Sequence, residues 1–225
     1  MSQGIIIQGP TKYANEIIHL YEGIPNVVWS TWEGEDIKQI QSKGIDVVQS
    51  TPPIIPGHLN VNYQTLSTYA GVKYLRDKGV TEALKIRGDL KPNNIELLLD
   101  FLKGKPLSFL AICKPNVRPL YYELEYAHTS FDFPVDLFLY GNLYNLEKCF
   151  DFQVEENFPI PPEALIAYSY FSNSGLEFDL SYNIFINNGI SFFMKECLKH
   201  NIEIEWLKNN MKLIEYHSDL NLYNY

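Results

Sequence analysis

The sequence predicts an α/β fold in a single domain, residues 1–225, built as a mostly parallel sheet flanked by helices. Short apolar runs alternate with helical segments through the first half, and brief connections join them, which is the rhythm of β-α-β units. The runs are continuously apolar rather than alternating, as strands covered on both faces require. The length suits one such domain, and 46% apolar residues suffice for its core.

Residues 4–8 (GIIIQ) open the chain as a β-branched run stopped by Gly9-Pro10. Residues 13–21 follow as a helix with Ile17, Ile18 and Tyr21 on its inner side. Residues 26–31 form a second strand ending at Trp32-Glu33-Gly34, residues 35–42 a short charged helix, and residues 45–49 a third strand. The Pro-rich stretch 51–57 (TPPIIPG) excludes helix. A long helix then runs to Lys78-Gly79, and Leu59, Tyr63, Leu66, Ala70 and Tyr74 mark its predicted inner face by their spacing. Residues 82–87 are a fourth strand closed by Gly88-Asp89. A helix over 94–102 and a fifth strand over 107–113 complete this half.

After Pro115 the texture becomes rich in Tyr, Phe and Asp. Residues 135–140 read as a strand, 143–150 as a helix, and 162–171 as another. A helix over 190–200 and a strand over 202–206 precede an Asn/Tyr/Leu tail. This change of texture divides the domain into two halves, residues 1–115 and residues 116–225.

The net charge is −9, from 18 basic and 27 acidic residues. That balance opposes nucleic-acid binding, and a small anionic ligand needs basic groups or a metal gathered locally. Cys113, Cys149 and Cys197 lack metal-ligand spacing, and their odd number suits a reducing compartment. The only early apolar run is three isoleucines, so neither a signal peptide nor a transmembrane segment is expected. The expected location is cytoplasmic, with loose association at a membrane allowed.

Ligands of open α/β sheets bind beyond the carboxyl ends of the strands. That rule selects Gln8, Gly9 and Pro10 after the first strand, and Thr31 and Trp32 after the second. Gly9-Pro10 and Gly34 also read as ordinary turns. Arg87-Gly88-Asp89 closes the fourth strand. There a carboxylate can hold a divalent cation that bridges phosphates, and a guanidinium can fork onto phosphate oxygens. Lys85 and Lys91 add positive charge on either side. The competing reading of Arg87 and Asp89 is a surface ion pair. Asn60, Asn62, Gln64 and Ser67 stand at the head of the long helix, where free N–H groups favour phosphate and where Asn60 or Asn62 also suits a helix cap. Asp136 interrupts an apolar run and is the candidate general base, with Asp132 a competitor; strand alternation explains Asp136 equally well. His128 is a base or a partner of Glu125. Dinucleotide-fold, Walker, nucleophile-elbow and zincin motifs are absent.

Five stretches taken together resemble the WavE-type lipopolysaccharide-synthesis family, glycosyltransferases with a GT-A-like, Rossmann-type fold. They are residues 5–10 (IIIQGP), 27–32 (VVWSTW), 60–68 (NVNYQTLST), 84–89 (LKIRGD) and 135–141 (VDLFLYG). The resemblance implies a nucleotide-sugar donor, a glycan or glycoconjugate acceptor, and a divalent metal (Mn2+ or Mg2+) for polysaccharide biosynthesis, with residues 1–115 as the nucleotide-sugar-binding half and residues 116–225 as the acceptor-side half. It implies Asp89 as the metal-binding acid and Gln8, Gly9, Pro10 and Trp32 around the nucleotide. The sequence departs from the family pattern at Arg87, which stands where a first acid belongs, and at Tyr63, where a basic residue is expected. Two other readings stand beside the glycosyltransferase. One is a sugar nucleotidyltransferase, for which residues 9–12 (GPTK) make a poor glycine-rich loop. The other is a glycan-binding module using Tyr121, Tyr122, Tyr126, Tyr168 and Tyr170.

Overall fold

The computed structural model describes residues 2–57, 60–92, 94–105, 107–111, 134–153, 162–175, 204–207 and 214–216. Its strands are β1 (Gln3–Gln8), β2 (Val27–Trp32), β3 (Asp46–Ser50), β4 (Glu82–Arg87), β5 (Leu90–Pro92), β6 (Leu107–Ala111), β7 (Pro134–Asn142), β8 (Ile204–Leu207) and β9 (Ile214–Tyr216). Its helices are α1 (Ala14–Ile17), α2 (Lys38–Ser42), α3 (Val61–Asp77), α4 (Ile95–Leu102), α5 (Leu143–Phe150) and α6 (Pro162–Ser172). Seven strands form the main sheet in the order β3-β2-β1-β4-β7-β6-β8, and β5 pairs with β9 in a second, two-stranded sheet. Neighbours pair in parallel except where β7 lies antiparallel between β4 and β6. The fold is therefore α/β, with a mostly parallel, helix-flanked sheet.

The continuous apolar runs are explained by two cores, one on each face of the sheet. Ile6, Val28, Ala83 and Leu139 enter the core shared with α3, α5 and α6. Ile5, Ile7, Val27, Trp29, Leu84, Ile86 and Phe138 enter the core shared with α1 and α4. Ile5, Ile6 and Ile7 are completely enclosed, and each such side chain contributes about 1.5–3 kcal/mol of burial.

The segment after β1 departs from the single helix expected over 13–21. It is two 3-10 turns, Thr11–Tyr13 and Ile18–Tyr21, around the four-residue α1. No side chain caps any of the three, and burial of Ile17, Ile18 and Tyr21 dictates their path instead.

The inner face of α3 also differs from the apolar stripe expected. The enclosed residues are Val61, Asn62, Thr65, Ser67, Thr68, Gly71, Val72 and Leu75, whereas Tyr63, Leu66, Ala70 and Tyr74 are only half-buried. The reason is close packing. A methyl group on Gly71 would stand 2.6 Å from Ile6 Cγ2, so α3 lies too near β1 for large side chains there. Two of the three hydroxyls on this face are satisfied by the helix itself, Thr65 Oγ1 donating to Val61 O (2.7 Å) and Ser67 Oγ to Tyr63 O (2.7 Å).

The helix expected over 190–200 lies outside the described residues. No helix among the described residues is long and apolar enough to cross a membrane.

Candidate functional site at the strand switch point

The chain leaves β1 for β2 and β3 on one side, then returns through α3 to β4 on the other side of β1. The carboxyl ends of β1 and β4 therefore bracket the reversal in strand order, where open α/β sheets form their ligand crevice. Gln8 stands opposite Arg87 of β4 and Ser30 of β2 in the strand registers. Four of the predicted groups, Gln8, Gly9, Thr31 and Arg87, thus come from three adjacent strand ends.

The backbone here is closely tied. Gly88 N donates to Gln8 O (2.8 Å), Gly9 N to Ser30 O (3.1 Å), and Trp29 Nε1 to Gly9 O (3.1 Å). Gly9 has φ 125°, a conformation that favours glycine, and the space where its Cβ would stand is open for 4 Å. At Gly88 a Cβ would come 3.0 Å from Trp29 Cζ2. Glycine lets the β4 end lie against the indole and carries Asp89 past it.

The loops around the rim are cross-linked by side chains. Thr11 donates through its N–H (2.9 Å) and its hydroxyl (2.6 Å) to Glu35 Oε2, joining the loop after β1 to the loop after β2. Gln49 Nε2 donates to Trp32 O (3.0 Å), and Thr51 Oγ1 to Glu33 Oε2 (3.1 Å). Trp32 meets Tyr63 edge to face at 4.8 Å, so the β2 end is braced on the first turn of α3. The clamp by Glu35 was not anticipated; its signal was an acid close after the second strand.

Arg87 and Asp89 form a two-pronged ion pair. Arg87 Nε donates to Asp89 Oδ1 at 2.9 Å, and Nη2 donates to Oδ2. The side chains are only 18% and 7% exposed, so the pair lies in the fold rather than on open surface. Three enclosed polar atoms near these strand ends make no hydrogen bond among the described residues: Gln8 Oε1, Thr31 Oγ1 and Thr68 Oγ1. Gln8 and Thr68 belong to the α3 side of the sheet. Ser30 Oγ donates to Ser67 O there (2.6 Å), which seats this turn of α3 over the ends of β1 and β2. An enclosed polar atom left unpaired costs about 1–3 kcal/mol, so these acceptors and hydroxyls call for a small internal partner such as a water. Thr68 was not among the expected site residues.

The other expected residues fall in several places. Pro10 and Lys12 continue the β1 loop, half-buried and exposed respectively. Lys85 is wholly buried two residues before Arg87, its Nζ 5.8 Å from the Phe150 ring centre. Gln64 is half-buried on the first turns of α3. Neither Asn60 nor Asn62 makes the expected cap. Asn60 has φ 59° and ψ 32°, whereas a capping residue needs extended backbone. Asn62 Nδ2 instead donates to Ile55 O (2.9 Å) and secures the Pro-rich loop. Tyr170 is a core residue beside Phe171, and Tyr168 is half-buried. Tyr121, Tyr122, Glu125, Tyr126, His128 and Asp132 lie outside the described residues, as does the side chain of Asp136. The backbone of Asp136 belongs to β7, and the β4–β7 register has Ile86 opposite Phe138. Asp136 lies two residues beyond that last pair on β7, toward the end of the sheet where β4 runs into Asp89.

Among the described residues no three His, Cys, Asp or Glu side chains gather as a metal cage. One carboxylate is compatible with a hard cation that keeps several waters and takes its remaining ligands from substrate phosphates. Asp89 fits that mode, although both its oxygens already accept from Arg87. A separate cavity of about 200 Å³ between Leu20, Glu22, Ile24 and the start of α4 contains none of these groups.

These features define the class of the fold: an open α/β sheet with its polar groups collected at the switch point. No family model matches the chain, and no curated protein is similar to it. Solved structures of similar shape include 2-C-methyl-D-erythritol 4-phosphate cytidylyltransferase from Thermus thermophilus, with 9% identity and a TM-score of 0.48 over 99% of this chain and 96% of that one. A cytidylyltransferase from Leptospira borgpetersenii serovar Hardjo-bovis has 16% identity and a TM-score of 0.42, covering 78% and 74%. CMP:2-keto-3-deoxy-manno-octonic acid synthetase, complexed with CTP, has 11% identity and a TM-score of 0.43, covering 92% and 89%. At these identities and scores the likenesses carry no functional argument.

Proposed function

We propose that the switch point binds the phosphates of a nucleotide, and that the chain is a transferase of nucleotide-activated sugars. The observation that carries this reading is the Arg87–Asp89 pair at the end of β4, register partner of Gln8 beside the open backbone of Gly9. Arg87 offers a planar fork to phosphate oxygens. Gly9, with open space where a Cβ would stand, lets a ligand approach the main chain. A divalent cation at Asp89, when bound, offsets negative charge on the departing phosphate.

Two transfers use such a site. In glycosyl transfer, as in the WavE-type family, the sugar leaves a nucleoside diphosphate and a base deprotonates the acceptor hydroxyl. The place of Asp136 in β7, toward the end of the sheet where β4 runs into Asp89, supports that role for it. The Thr11–Glu35 clamp supports the same reading, because the amide and hydroxyl of that loop are engaged by an acid rather than offered to a triphosphate. In nucleotidyl transfer a sugar phosphate attacks a nucleoside triphosphate and pyrophosphate leaves. The glycine conformation at Gly9 and the exposed Lys12 in the loop after β1 support that one.

One assay separates them. With a panel of nucleotide sugars and Mn2+, glycosyl transfer or donor hydrolysis releases nucleoside diphosphate. With nucleoside triphosphates and sugar 1-phosphates, nucleotidyl transfer releases pyrophosphate. Asp89→Ala is expected to lower whichever turnover is found by at least about a hundredfold while the fold persists. Full turnover in that variant removes Asp89 from the reaction, and failure of every nucleotide to bind the native chain removes the proposal.

A further inference from the structure

We infer that Arg87 is a built-in competitor for the cation, so that Asp89 becomes a metal ligand only when a nucleotide phosphate draws the guanidinium away. This inference rests on the reading of the site as one for nucleotide phosphates. Its basis is the geometry of the pair. Both oxygens of Asp89 are taken, Oδ1 by Nε at 2.9 Å and Oδ2 by Nη2. The pair is largely enclosed, so its mutual attraction is weakly screened by solvent. The backbone between the partners is fixed, with Gly88 N held by Gln8 O at 2.8 Å and the Gly88 Cα face against Trp29. Release therefore takes a swing of the Arg87 side chain rather than a loop movement. A cation arriving alone meets a carboxylate whose charge is already offset, and no cluster of acids, histidines or cysteines among the described residues compensates.

A diphosphate changes both sides of this competition. Its oxygens accept the fork of Arg87, which frees Asp89, and they complete the coordination of the cation. Cation and nucleotide then bind with positive coupling, and linkage makes the effect reciprocal, in the usual range of about 5- to 150-fold. Arg87 is thus a positioning residue for the metal as well as a contact for phosphate. The ion pair, which in the sequence competes with a site reading, here becomes the element that orders assembly of the site.

The test is Mn2+ binding in the absence of nucleotide, read from the free-Mn2+ electron paramagnetic resonance signal. Native protein, Arg87→Gln, Arg87→Lys, Asp89→Asn and the Arg87→Gln/Asp89→Asn double variant are compared. Arg87→Gln is expected to bind Mn2+ about tenfold more tightly than native protein, within the coupling range above. Arg87→Lys, which keeps the charge without the fork, falls between them. Asp89→Asn and the double variant show no gain. Circular dichroism and thermal melting check that each variant is folded, and Arg87→Lys carries the comparison if Arg87→Gln is not. Equal Mn2+ affinity of native protein and the folded arginine variants overturns the inference. A parallel titration with uridine, cytidine, guanosine, adenosine and thymidine diphosphates tests the site reading itself. Absence of nucleotide binding there leaves the Mn2+ comparison readable.

Discussion

At the scale of single residues, the site depends on a few close approaches. Gly88 has the clearest requirement. Its Cβ would press on Trp29, an enclosed ring whose Nε1 is bonded to Gly9 O, so the indole has little freedom to yield. Gly88→Ala is expected to destabilise the protein by about 1–3 kcal/mol, measurable as a lower urea midpoint. The same change displaces Arg87 relative to Gln8, so nucleotide affinity falls as well. A variant with unchanged midpoint and affinity shows that the contact is slack. The residues flanking Gly88 were legible in the sequence because a charged pair followed an apolar strand. Their pairing was legible as one of two readings, since residues two apart on an extended chain share a face, whereas its enclosure was not, because burial depends on the strands packed around it.

At the scale of elements, the sequence revealed strands better than faces. The bounds of β4 and α5 agree with the readings over 82–87 and 143–150, because each has a clear stop, Gly88 after β4 and the capping Asn142 before α5. The inward face of α3 was misread because periodicity follows apolar side chains, whereas the sheet selects small ones where the helix lies close. Gly71→Ala tests this. The added methyl meets Ile6 at 2.6 Å, and the expected loss is about 1–3 kcal/mol despite the better helix propensity of alanine. The two-stranded β5–β9 sheet was not read at all, since three-residue strands leave no pattern. The antiparallel direction of β7 was equally hidden, because strand periodicity is the same in either direction.

The opposite end of the sheet gives a prediction of its own. Tyr140 OH donates to Glu82 Oε2 (2.7 Å) and accepts from Gln3 Nε2 (3.0 Å). Burial, and then its bond to Glu82, push the Tyr140 phenol well above its ordinary value of 10.0. A raised phenol stays protonated in the folded chain while the unfolded chain ionises. The stabilising difference is present below pH 10 and is lost as pH rises beyond it. Stability should therefore fall above pH 10, with up to about 1.4 kcal/mol per pH unit from this group. Tyr140→Phe leaves Glu82 without this donor and costs about 1–3 kcal/mol near neutrality. Its stability curve between pH 9.5 and 11 should be shallower than that of native protein, read from urea midpoints. Parallel curves for the two proteins contradict this assignment.

At the scale of the whole molecule, the sheet and its two cores account for the expectation of an α/β fold drawn from composition and rhythm. The placement of Gln8 opposite Arg87 follows from strand order alone, as it requires the chain to return from β3 to the far side of β1. That order was not readable from local pattern, yet the residues it joins were, because each polar group follows an apolar run. The most direct test of the account is a crystal structure of the protein soaked with a nucleoside diphosphate and Mn2+. The account predicts density for the diphosphate between the ends of β1 and β4, with Arg87 turned from Asp89 onto a phosphate oxygen. Density elsewhere, for example in the cavity beside Leu20 and Glu96, with the Arg87–Asp89 pair intact, would contradict it.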